Sequence, residues 1–88
     1  MKAQILQKTI MQEKISLSID VRGLLCPIPV QKTDEALNQI EQGQVLEVIA
    51  SDPTTLVDIP AWVTTEKQKI IATIDDWLTI RFYIRRCG

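Results

Sequence analysis

The sequence predicts an α/β (α+β) fold: a two-layer α/β sandwich in the order β-α-β-α-β-β, with a mixed four-stranded sheet and two helices on one face. Three observations predict it. Apolar and polar residues alternate over positions 15–21 and again over 78–85, the period of half-buried strands. Two stretches carry apolar residues at three- and four-residue steps, and each opens on a proline-bearing start signal, Cys26-Pro27-Ile28-Pro29 and Ser51-Asp52-Pro53. The run Val45-Leu46-Glu47-Val48-Ile49-Ala50 is almost continuously apolar, as an interior strand would be.

Residues 1–14 mix Ile5, Leu6, Ile10 and Met11 with Lys and Gln. They read as an N-terminal extension outside the core, either a short helical arm or a mobile one. The folded domain is expected over residues 15–88. Ile15, Leu17, Ile19 and Val21 form the inward side of the first strand, with Ser16, Ser18 and Asp20 outward. Gly23 permits the turn that follows. From Pro27 to about Gln42 the helical repeat runs through Val30, Thr33, Leu37 and Ile40, with Ala36 beside them and Gly43 placed as a left-handed cap. Asp52 is expected as N-cap and Pro53 as the first residue of a second helix. That helix carries Leu56, Val57, Ile59, Ala61, Trp62 and Val63, and Pro60 is expected to kink or split it. Two strands, over 69–75 and 78–85, then flank a tight Asp75-Asp76-Trp77 connection. In the simplest topology each helix joins parallel neighbours by a right-handed crossover and the last two strands form a hairpin.

A chain of 88 residues with 45% hydrophobic content supports one domain and one modest core. The net charge of −1 offers no stripe to grip phosphates, so no direct nucleic-acid contact is expected. No apolar run reaches the length of a membrane span and no secretory leader opens the chain, so no membrane insertion and a cytoplasmic location are expected. Cys26 and Cys87 are the two cysteines and fit no zinc spacing, so neither metal nor cofactor is expected. The absence of histidine removes any Cys–His dyad and argues against a self-contained hydrolase.

The chemistry centres on Arg22-Gly23-Leu24-Leu25-Cys26-Pro27-Ile28-Pro29. Two prolines in three residues rule out mid-strand and mid-helix positions but fit a first helical turn, where backbone N–H groups lack intrahelical partners. With Cys26 as N-cap, Pro27 falls at the first helical position and Pro29 at the third. The N–H groups of Ile28 and Val30 then point back to the sulfur, and with the helix dipole they are expected to lower the thiol pKa. The plainer reading is a small buried apolar cysteine.

These residues also carry a family resemblance. Asp20-Val21-Arg22-Gly23-Leu24-Leu25-Cys26-Pro27-Ile28-Pro29 resembles the D-x-R/x-G-L-x-C-P-x-P signature of the TusA/SirA-like sulfur carriers. Ser51-Asp52-Pro53-Thr54-Thr55-Leu56-Val57-Asp58-Ile59-Pro60-Ala61-Trp62 resembles their second segment, and together the match runs over about 15–86. The resemblance implies a sulfur carrier whose Cys26 accepts sulfur as a persulfide, with Arg22, Gly23, Pro27 and Pro29 positioning it. It implies a cysteine desulfurase or a rhodanese as donor and a downstream sulfur-acceptor protein, in tRNA thiolation, molybdenum-cofactor synthesis or other sulfur metabolism, with partner enzymes supplying the catalysis. A monomer is expected. Val63 stands where many relatives carry a second cysteine, and Thr65-Glu66-Lys67-Gln68-Lys69 replaces their Gly-His pair.

Secondary roles stay open at this level. Arg22 either helps to hold an anionic sulfur or is a solvated arginine beside a turn. Asp52 and Asp58 read as helix caps before acid–base groups. Trp62 is core or a lid over the cysteine loop. Arg81, Arg85 and Arg86 form a C-terminal basic face, and Cys87 is a chance thiol or a resolving one. The competing functions are a regulatory or adaptor domain with a redox-sensing or structural cysteine, a partner of a thiosulfate or sulfur transporter, and an RNA-binding sandwich by fold analogy alone.

Overall fold

The computed structural model describes residues 14–88, so the expected helical arm within the extension lies outside the described residues. The elements are β1 (Ile15–Asp20), α1 (Ile28–Leu37), β2 (Val45–Ala50), α2 (Thr55–Thr65), β3 (Lys69–Asp75) and β4 (Ile80–Arg85). They form the two-layer α+β fold with a mixed sheet ordered β1-β2-β4-β3. β1 pairs with β2 in parallel, and β4 runs antiparallel to both β2 and β3. The first crossover therefore joins parallel neighbours as expected. The second does not: β4 folds back between β2 and β3, so α2 spans two parallel strands that are not adjacent. Ile80, Phe82 and Ile84 are buried on one face and Tyr83 on the other, which suits this central place, where two ladders are satisfied at once.

The core lies between the helices and one sheet face. Phe82, Leu46, Ile59 and Ile84 are its largest fully buried side chains, each contributing about 1.5–3 kcal/mol by leaving water. From α1 come Pro29, Thr33, Ala36 and Leu37, with Ile40 just beyond; from α2 come Thr55, Ile59 and Val63, four residues apart. The two buried threonine hydroxyls are satisfied locally, Thr33 Oγ1 donating to the Pro29 carbonyl at 2.8 Å and Thr55 Oγ1 to the Asp52 carbonyl at 2.7 Å. On the other sheet face Val45, Ala72 and Tyr83 form a smaller buried cluster, and the Tyr83 hydroxyl donates to Glu47 at 2.6 Å.

Several boundaries differ from expectation for local reasons. α1 ends at Leu37, because the chain tightens into three-residue bonds from Gln39 to Ala36 and Ile40 to Leu37. Gly43 does adopt a positive φ of 88°, but in the turn entering β2 and not as the helix cap. Pro60 neither splits α2 nor ends it: the helix runs from Thr55 to Thr65 through it. β4 begins at Ile80, leaving Leu78 in the turn and exposed rather than facing the core. The expected basic face also dissolves. Arg81 pairs with Asp76 at 3.7 Å, Arg85 donates to the Gly43 carbonyl at 3.3 Å, and Arg86 turns inward to the end of α1. Its guanidinium donates to the carbonyls of Leu37, the last residue of α1, and of Ile40 just beyond it, where the regular four-residue bonds have ended.

Candidate functional site

β1 delivers the chain to Val21, whose N–H continues the ladder to the Ile49 carbonyl at 2.7 Å. A turn closed by Leu24 N–H to the Val21 carbonyl follows, with Gly23 at φ 79°, a conformation that strains any side-chain-bearing residue. Gly23 N–H donates to Ser51 Oγ at 2.8 Å, so the cysteine loop hangs on the loop after β2. Cys26 then sits exposed, one residue before the N-cap of α1, joined to Pro27 by a cis peptide bond.

This placement shifts the expected frame by one residue. Pro27 is the N-cap, Ile28 opens the helix, and Pro29 is second and buried. Pro27 contributes its carbonyl, which accepts from Gln31 N–H at 3.1 Å. The Ile28 N–H donates to the Leu25 carbonyl at 2.9 Å and so does not point at the sulfur.

The side chains that act on the thiol are acidic. Asp58, in the first turn of α2, and Asp52, ahead of that helix, both act on the Cys26 thiol. The hydrogen bond to Asp58, then partial desolvation, then the charges of Asp58 and Asp52 push the Cys26 thiol above its ordinary pKa. The expected lowering is thus reversed: the influence of two nearby carboxylates outweighs that of one helix terminus, which is diluted by water and confined to its first turn. Asp52 is itself held below the usual carboxylate range, chiefly by the Thr54 hydroxyl and backbone N–H, which donate at 2.7 and 3.0 Å. It caps the entry turn, while regular helix starts at Thr55. Asp58 faces the thiol and is no cap.

Arg22 is engaged by Asp20. Its Nε and Nη2 grip Asp20 at 2.9 and 2.7 Å, a bidentate pair that lowers the Asp20 pKa to about 2. Trp62 packs half-buried against the edge of the core. Cys87 lies past β4, whose six residues run about 20 Å away from the Cys26 end of the sheet, too far for a disulfide within one molecule. Ser51 as the anchor of the loop went unrecognised in the sequence, where only its place ahead of Asp52-Pro53 could have drawn notice. Among the described residues no cluster of three or more His, Cys, Asp or Glu could hold a metal, and no helix is long and apolar enough to cross a membrane.

Comparison with known proteins matches residues 17–86 to the family model described as sulfurtransferase TusA. The chain is 34% identical over 68 residues to the Bacillus subtilis protein named "Putative sulfur carrier protein YrkI", covering 77% of this chain and 91% of YrkI. It is 29% identical to "Putative sulfur carrier protein YrkF" of the same organism over 85% of its own length, but spans only 40% of YrkF. Its fold is similar to the crystal structure of a SirA-like protein from Desulfitobacterium hafniense, with a TM-score of 0.71 and 23% identity, over 82% of this chain and 99% of that one.

Proposed function

We propose, from the premise that this chain belongs to the sulfurtransferase TusA family, that it is a sulfur carrier which takes sulfur as a persulfide on Cys26 and passes it to a second protein. The observation that supports this most is the exposed Cys26 just ahead of α1, on a loop tied through Gly23 to Ser51. A thiol presented on a fixed loop, in a chain without histidine, suits a carrier whose partners supply the chemistry.

In the loading step the Cys26 thiol first loses its proton to solvent or to a donor-enzyme base. The thiolate attacks the terminal sulfur of a donor persulfide, one S–S bond forms as another breaks, and the donor leaves as thiolate. A proton then returns to give Cys26–S–SH, with no net oxidation. Handing the sulfur on repeats the exchange with Cys26 as leaving group. A cysteine desulfurase or a rhodanese serves as donor, and a downstream thiol protein as acceptor.

The reading is tested by loading the chain with labelled sulfur from radioactive cysteine and a cysteine desulfurase, desalting, and adding cyanide or dithiothreitol. A carried persulfide leaves as thiocyanate or sulfide, respectively. Label that survives both reagents would refute persulfide carriage.

A further inference from the structure

We propose that the Cys26 end of the molecule docks a basic protein surface which seats an apolar side chain in the cleft between α2 and the β3–β4 turn, with Trp77 as its main contact. The proposal deepens the sulfur-carrier reading and rests on it: the docked protein is the sulfur donor.

The topology supplies the first argument. β4 is antiparallel to both β2 and β3, and β1 is parallel to β2, so β1, β2 and β3 all end on the same edge of the sheet. The loops leaving that edge hold Cys26, Ser51-Asp52-Pro53 and Asp76-Trp77-Leu78-Thr79. Every large apolar side chain exposed among the described residues belongs to these loops or to the helix starts that follow them. Trp77 is 98% exposed, Leu78 83%, Val57 71% and Leu25 69%. Scattered exposed apolar residues need no explanation, but their collection on one edge beside a reactive thiol does.

The second argument is shape. Ser51, Pro53, Leu56, Asp75, Trp77 and Ile80 line a cleft of about 390 Å³ on this edge. The wall made by the turn is held in form. Asp76 Oδ1 accepts from Thr79 N–H and Oγ1 at 2.9 and 2.8 Å, and Asp75 Oδ1 accepts from Trp77 N–H at 3.2 Å. Trp77 adopts φ 78°, a conformation glycine or asparagine would take at lower cost. A tryptophan kept there, fully exposed on an ordered tip, has the character of an interface anchor.

Charge selects the occupant. The edge carries Asp20, Asp52, Asp58, Asp75 and Asp76 against Arg22 and Arg81, and both arginines are already paired, with Asp20 and Asp76. Asp52, Asp58 and Asp75 have no ion pair among the described residues. A surface that brings Lys or Arg to them while filling the cleft is complementary in both respects. Arrival of such cations also offsets the carboxylates that hold the Cys26 thiol protonated, so docking and activation of the thiol coincide.

The test compares two kinds of sulfur donor on the full chain. Inorganic polysulfide is too small to use the docking surface; a cysteine desulfurase with cysteine and a rhodanese with thiosulfate are protein donors. Persulfide on the carrier is read by intact mass against carrier concentration. For a protein donor, Trp77→Ala should raise the half-saturating concentration at least tenfold. Asp75→Asn should raise it about threefold at low salt and not at 0.5 M NaCl, where exposed charges are screened within roughly 4 Å. Gln42→Ala, at the opposite edge, should match wild type, and polysulfide should load all four chains alike. Protein-donor loading of Trp77→Ala at the wild-type half-saturation overturns the docking proposal. So does a wild type that polysulfide loads and neither protein donor loads. Failure of polysulfide to load wild type at Cys26 overturns the carrier reading instead.

Discussion

Replacing Arg86 with alanine removes the cation that closes the C-terminal end of α1. Its guanidinium donates to the Leu37 carbonyl at 3.0 Å and to the Ile40 carbonyl, and its Nε donates to the Gly88 carbonyl at 2.8 Å. A hydrogen bond from a charged donor is worth about 1.5–3 kcal/mol when its acceptor is otherwise buried, and a cation at a helix C-terminus adds roughly 0.3–1 kcal/mol. The side chain is only half-buried, so water replaces part of what is lost, and the net cost should be about 2 kcal/mol. For a domain of this size that corresponds to a fall in Tm of roughly 8–16 °C. Urea unfolding followed by tryptophan fluorescence, with an unchanged m-value, measures it. Arg86→Lys should recover part of the loss, because one ammonium keeps the charge but not the fork that reaches two carbonyls. An Arg86→Ala chain within 0.5 kcal/mol of wild type would refute the assignment of Arg86 as the structural cap of α1.

Two further outcomes concern the carboxylates. Alkylation of Cys26 by iodoacetamide against pH should inflect above the range of an ordinary cysteine, and Asp58→Asn should move the inflection down; an unmoved inflection would show that Asp58 does not hold the thiol. Asp20 has a folded pKa depressed to about 2, so its pair with Arg22 stabilises the fold above the unfolded carboxyl value near 3.9 and is lost as pH falls through about 2. Urea midpoints of wild type and Asp20→Asn should therefore differ by a constant small amount above about pH 5 and converge toward pH 2. A difference that persists unchanged at pH 2 would contradict the ion pair.

What sequence periodicity reveals is the set of elements, since the inward faces of β1, α1 and β2 are written in spacing alone. The order of strands is a different matter. Whether β4 pairs outside β3 or inserts beside β2 depends on which arrangement buries both faces of 80–85, a tertiary choice that no local pattern encodes. The same limit applies at the site. The cysteine loop was visible because two prolines and Gly23 constrain the backbone locally. Its electrostatics were not, because Asp58 reaches the sulfur from another helix, 32 positions along the chain (58 minus 26). Arg86 read as surface charge because the carbonyls it serves, at the end of α1 and just past it, lie 49 and 46 residues away.

Intact mass after incubation with a cysteine desulfurase and cysteine tests sulfur carriage on Cys26 most directly. Wild type and Cys87→Ser should each gain one sulfur, about 32 Da, removable by reductant, and Cys26→Ser should gain none. A Cys26→Ser chain that loads as fully as wild type would contradict the account.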